Sequence, residues 1–290
     1  MVEYLVVSVA QVGPRVDLRP QLTSERAAFL RLLGELHHGD WALPTGCPGW
    51  TVRDIAAHVL HDDLRRLSRM RDGHEAGPRP DPGESLASFI DRTNQRWVAE
   101  SAFLSPAVLI ELLSATSPSV AAMWAATDLA APGASVSWAG VDPAPRWLDA
   151  AREYTEMWTH QQQIREATGR PGLRDRASMD AVSDVLLRAL PHTYRDQTAA
   201  VGTVVEVSVT GQADVTRWLV AGPEGWTLVA EGRRRSSAAV SIDADTLWRL
   251  ATGGTSRHEA ARRTQMSGDP DLAAQFLDIV AVVRQPPVRT

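Results

Sequence analysis

The chain has 290 residues, 44% of them hydrophobic and 22% charged, a composition that excludes wholesale disorder and leaves room for two domains. Its net charge of -5 argues against a nucleic-acid surface, which needs a basic excess to displace counterions. Cys47 is the single cysteine, which rules out an intramolecular disulfide, and the N-terminal apolar run lacks a basic start and the ~20 residues of a bilayer span, so a cytoplasmic protein without membrane contact is expected.

The first segment with helical periodicity is TSERAAFLRLLGELHHG, where Phe29, Leu30, Leu33 and Leu36 share a face, Thr23 or Ser24 offers a cap and Gly39 an end. The next, WTVRDIAAHVLHDDLRRLSRM, opens with Thr51 and carries Asp54 three residues on, the arrangement in which each side chain satisfies an otherwise free N–H of the other. DGHEAGPRPDPGES then breaks the pattern. A third helix is predicted over LASFIDRTNQRWVAESAFL, and a fourth begins at Ser105 with Pro106 in its first turn. After the connection AAPGASVSWAGVDPAP comes the helix WLDAAREYTEMWTHQQQIREAT, closed by Gly169 and Pro171. Amphipathic helices of this length make a bundle the natural architecture for residues 1–172.

From 173 to 290 the pattern changes to α+β. One helix lies near MDAVSDVLLRAL, and Val205, Val207 and Val209 then alternate with polar neighbours as in a half-buried strand. RWLVAGPEGWTLVAEG reads as two strands joined by a turn, and AAVSID as another strand. Helices return at ADTLWRLATGG and at DPDLAAQFLDIVAVV, the latter capped by Asp269 with Pro270 in its first turn.

Glu156 and His160, four residues apart, can aim their donor atoms at one centre. A catalytic divalent ion takes about three protein ligands, so a further one must come from another helix. His58 borders the stripe of Val52, Ile55 and Val59 and can face the bundle interior, whereas His61 lies further round toward solvent, and Asp54 is placed to accept the free ring N–H of His58. The plainer alternative has Glu156 paired with Arg152 and the histidines as ordinary core or surface residues, and spacing alone does not decide between the two.

Cys47, close to a helix start, is a candidate nucleophile without a visible base, and packing is the simpler role. All 30 basic residues are arginine; Arg233 to Arg235, and Arg262 with Arg263, are candidates for a carboxylate substrate or else solvated. No GxxxxGK[ST], GxSxG, HExxH or strand-linked GxGxxG is present.

CPGWTVRDIAAHVLHDD and WLDAAREYTEMWTHQQQIREATGRPG together resemble the hallmark segments of the mycothiol-dependent maleylpyruvate isomerase family, over residues 20 to 170. The resemblance implies a DinB-like four-helix bundle followed by a small α+β sterol-carrier-like domain. It further implies a divalent metal, typically Zn2+, held by His58, Glu156 and His160, and mycothiol as the thiol cosubstrate. A metal-bound thiolate would then attack an electrophilic small molecule, as an S-transferase or a cis-trans isomerase. An arginine of the second domain assists the isomerase, and Arg234 is the candidate here; a monomer or homodimer is expected. The competing reading is a non-catalytic, metal-containing binding protein for an apolar ligand, with a pocket at Val205, Val207, Leu219 and Leu228.

Overall fold

A computed structural model describes residues 7–172, 174–232 and 235–282. Packing divides the chain into two compact units. The helical unit comprises Leu18–Asp128 and Glu156–Gly172; the other draws on the N-terminal stretch up to Asp17, on Leu129–Thr155 and on the chain from 174 to 282.

Helices α1 (Arg19–Gly34), α2 (Val52–Arg66), α3 (Leu86–Glu100) and α4 (Pro106–Ala126) belong to the helical unit, together with residues 156–167 of α5 (Arg146–Ala167). α1 starts four residues before the Thr23 cap predicted from sequence. Pro20 occupies its first turn, and the Thr23 and Ser24 hydroxyls instead donate back to the carbonyls of Arg19 and Pro20. It also stops before Gly39, at Gly34. α4 meets the length and composition of a membrane span, with 28% of its apolar window buried. Leu109, Leu113, Val120, Met123 and Trp124 bury its inner face, and it packs on α1 and α2.

The start of α2 is set by a reciprocal cap. Thr51 and Asp54 form the reciprocal cap: the Asp54 carboxylate accepts from the Thr51 N–H at 3.0 Å and its hydroxyl at 2.8 Å, while the Thr51 oxygen accepts from the Asp54 N–H. The cap fixes where the helix begins, and so places His58 two turns in. α2 then loosens into a π turn at Leu67–Arg71 before the Pro- and Gly-rich break.

The second unit holds α6 (Arg176–Leu187), α7 (Leu190–Thr193) and a five-stranded mixed sheet. Its strands are β1 (Val204–Thr210), β2 (Val215–Gly222), β3 (Gly225–Val229), β4 (Ala238–Asp243) and β5 (Gln265–Gly268), in spatial order β3-β2-β1-β4-β5. β1 and β4 are parallel and the other neighbours antiparallel. The parallel pair needs a crossover; β2 and β3, by contrast, turn directly at the predicted hairpin. α8 (Ala244–Thr252), α9 (Arg257–Arg263) and α10 (Pro270–Gln275) complete the unit. α9 and β5 have no counterpart among the sequence-predicted elements, and α10 is much shorter than predicted. After its Asp269 cap it gives way to a 3-10 turn, and Ile279 is extended.

Val205, Val207, Leu219 and Leu228 are 0–2% exposed and pack as sheet core. Arg188, equally buried, donates to the carbonyls of Val12 and Pro14 and to Asp184, and covers the Trp147 ring at 5.0 Å. Those bonds tie the N-terminal segment onto α6. Tyr194 donates to the Leu272 carbonyl at 2.7 Å, joining the end of α7 to α10.

Thr51→Ala removes the cap that sets the start of α2, and is expected to lower unfolding stability by about 0.5–2 kcal/mol. Urea denaturation of the variant beside wild type measures it, and an unchanged midpoint would show that the cap does not hold this end.

Candidate metal centre

Faces of two helices, α2 and α5, meet within the helical unit. α2 contributes His58, which is buried, and α5 contributes Glu156 and His160 one turn apart. One ligand atom from each of the three residues lies within 4.8 Å of the others. His160 Nε2 is 3.1 Å and His58 Nε2 3.5 Å from the same oxygen, Glu156 Oε1. The imidazoles stand edge to face, with centroids 4.9 Å apart. Trp50, from the turn before α2, walls the site with its ring 5.1 Å from His58 and 6.5 Å from His160.

Gln163 determines how His160 presents itself. Its Oε1 lies 2.9 Å from His160 Nδ1 and can accept that nitrogen's N–H, the tautomer that leaves Nε2 to bind a cation. A lone pair and a carboxylate oxygen at 3.1 Å repel unless a proton or a cation lies between them. Burial pushes the Glu156 carboxyl up, but hydrogen bonds from His160 and His58 outweigh it and hold the group well below its ordinary value, so it is anionic at neutral pH. Two imidazole nitrogens and one carboxylate oxygen, converging on one point, are a donor set that fits a divalent ion of the zinc type.

Three sequence expectations change here. Asp54 does not serve His58: its oxygens are engaged by Thr51 and by Arg53, the latter at 2.9 Å, because the helix cap needs them. The carboxylate nearest His58 on its own helix is Asp62, with Oδ2 3.5 Å from Nε2. Nor does His61 turn to solvent. It stacks on Trp97 of α3 at 4.8 Å with the rings 10° from parallel. Arg152, the alternative partner of Glu156, pairs with Asp149.

Cys47 is half-buried, and its thiol is pushed up to about 11, first by burial and then by the Glu156 and Asp91 carboxylates. It stays protonated at neutral pH, the opposite of an activated nucleophile. Arg262 and Arg263 are exposed on α9, as is Arg235. Arg233 and Arg234 lie outside the described residues. Gln163 was a site residue missed in the sequence: its signal was the spacing of three from His160 on one helix, but a run of three glutamines carries no mark of which one reaches the imidazole.

Residues 22–165 match the sequence profile of the mycothiol maleylpyruvate isomerase N-terminal domain. The chain belongs to the mycothiol-dependent maleylpyruvate isomerase family through this segment. Among solved structures, the chain is similar to the mycothiol-dependent maleylpyruvate isomerase, with a TM-score of 0.54 over 87% of this chain and 93% of that one, at 14% identity. A histidine-to-alanine variant of that enzyme gives the same values. At that identity the likeness shows the shared fold of the isomerase, a helical domain followed by an α+β domain. No curated protein matches the chain in sequence.

Gln163→Ala frees the His160 ring, and metal affinity is expected to fall about 10–100-fold, measured by competition with a chromophoric chelator; an unchanged affinity would show that another group orients the ring. His61 gives a pH test on the ion-free protein. Burial, with smaller contributions from Arg65 and His58 and opposed by Asp62, pushes it down to about 4. An unfolded imidazole titrates near ~6.5, so between there and about 4 the unfolded chain takes up a proton that the folded one refuses, and stability falls with pH. His61→Phe keeps the stacking and removes this loss. Its melting temperature should decline less than that of wild type from pH 6.5 to pH 4, and parallel melting curves would contradict a half-buried His61 held neutral.

Proposed function

We propose that the chain is a metal-dependent enzyme that activates a low-molecular-weight thiol, mycothiol, for attack on an electrophilic small molecule, as an S-transferase or a cis-trans isomerase. The observation that carries the reading is the convergence of His58 Nε2, His160 Nε2 and Glu156 Oε1 on one point. Membership of a family defined by a mycothiol-dependent isomerase supports the choice of thiol. The reading assigns ion binding to residues 1–172 and leaves 173–290 as the accessory α+β domain.

A divalent ion, when bound there, supplies the positive charge that lets a neighbouring thiol lose its proton near neutral pH. The protein's own groups prepare that charge. Two neutral imidazoles and one carboxylate cancel only half of a 2+ charge, so the centre stays net positive and attracts an anionic sulfur. Gln163 holds His160 in the tautomer that presents Nε2, and Trp50 keeps water from one side of the rings.

The alternative of a binding protein for an apolar ligand has less to support it, because the four residues proposed to line its pocket are packed as core. His160→Ala is expected to lose both the ion and turnover. Metal content by mass spectrometry, with mycothiol-dependent conversion of maleylpyruvate and a panel of electrophiles, checks both: about one ion per chain in wild type and none in the variant is expected. Full metal and full activity in the variant would make the assignment wrong.

A further inference from the structure

The outer face of α4 differs from that of its neighbour in the helical unit. Ten residues of Pro106–Ala126 are exposed and Glu111 is the single charge among them, while Val108 and Leu112 are 37% and 39% exposed. The shorter α3 exposes four charged residues, Asp91, Arg92, Arg96 and Glu100. In the turn just before α4, Phe103 is 84% exposed. A face depleted of charge beside exposed aliphatic and aromatic side chains has the composition of a surface that meets another protein.

The charges at the two ends of this face decide what it meets. Glu111 lies toward the N-terminal end. At the other end, Arg19 of α1 donates through Nη1 to the carbonyls of Ala125 and Thr127 at 3.3 and 3.4 Å, which holds its guanidinium at the C-terminus of α4. Pro118 is exposed midway between Glu111 and Ala125, about two turns from each. A two-fold axis at Pro118, with the helices antiparallel, sets residue 111 of one copy against residue 125 of the other, and so brings Glu111 beside Arg19 of the second copy. Symmetry forms that ion pair twice. Between the pairs, Ser114 and Ala115 oppose Ala122 and Ala121, side chains small enough for the two helices to approach closely. The face is therefore complementary to itself in charge and in shape. A bilayer would place the Glu111 carboxylate against hydrocarbon with no cation to meet it.

We propose that α4 is a homodimer interface: two copies of this chain pair antiparallel through the outer faces of α4, with Glu111 of each facing Arg19 of the other. Ten residues and Phe103 are about half of the roughly 20–30 residues a side of a standard interface, so the dimer is weak and forms with rising concentration. The pairing uses none of the metal-centre residues.

Sedimentation velocity of the full chain over a wide concentration range tests it, with wild type beside Glu111→Arg, Ala115→Arg and the double variant Glu111→Arg/Arg19→Glu, each checked for folding by circular dichroism. Wild type is expected to pass from monomer to dimer. Glu111→Arg should raise the dissociation constant about tenfold or more, because like charges then face each other at both ends, and adding Arg19→Glu should restore pairing. Ala115→Arg, a long charged side chain close to the axis, should abolish it. A wild type that stays monomeric at every concentration would overturn the proposal, as would a dimer that neither Glu111→Arg nor Ala115→Arg weakens. A folded double variant no better than Glu111→Arg would overturn it too, since the register depends on that ion pair. Should the double variant fail to fold, the two single variants at exposed positions decide. A monomer that co-sediments with vesicles of phosphatidylcholine and phosphatidylglycerol would instead make the face a membrane contact and overturn the pairing.

Discussion

A carboxylate oxygen and two imidazole nitrogens held within 4.8 Å of one another, where α2 and α5 face each other, set the terms for everything around them. Glu156 cannot sit among lone pairs unless positive charge is shared with it, and the shape of the site follows from that requirement. His58 and His160 approach the same oxygen from two helices, so α2 and α5 must lie close enough for both to reach it. The helix start at Thr51 determines how far along α2 the first imidazole stands.

The polar residues of α5 show how the remaining cost is met. Gln161 is fully buried, yet its amide donates to Glu25 on α1 and its oxygen accepts from Arg165. Two residues on, Gln163 serves His160. On the neighbouring elements, Arg26 pairs with Asp63, which also accepts from Thr116 at 2.8 Å. These contacts join α1, α2, α4 and α5 by directional bonds. Replacing one partner strands the other in a medium that does not solvate it, which ties the geometry of the candidate centre to the integrity of the helical unit.

Cys47 and His61 illustrate how the same surroundings suppress competing chemistry. A thiol beside two carboxylates is held protonated, and an imidazole stacked on Trp97 is held neutral. In the ion-free protein, then, neither group adds charge beside the triad at neutral pH. This leaves the charge of the centre to the triad and to whatever it binds.

Periodicity and capping alone determined the helices up to α5, the β2–β3 hairpin, the cap of α2 and the triad as a candidate, because those signals are local: a spacing of four, a Thr followed three residues later by Asp, a Gly-Pro-Glu-Gly turn. The resemblance of two segments to a known family turned that candidate into a specific expectation. The rest needed the folded chain. β5 is four exposed residues whose pairing with β4 leaves no pattern in the sequence, and Asp54 and Asp62 are both one turn from His58, on opposite sides. Which of the two faces the imidazole was decided by the cap, since only the fold shows that Asp54 is already bonded to Thr51. Gln163 and the stacked His61 were hidden for the same reason. A helical position states which residues share a face, whereas what that face meets depends on helices distant in the chain.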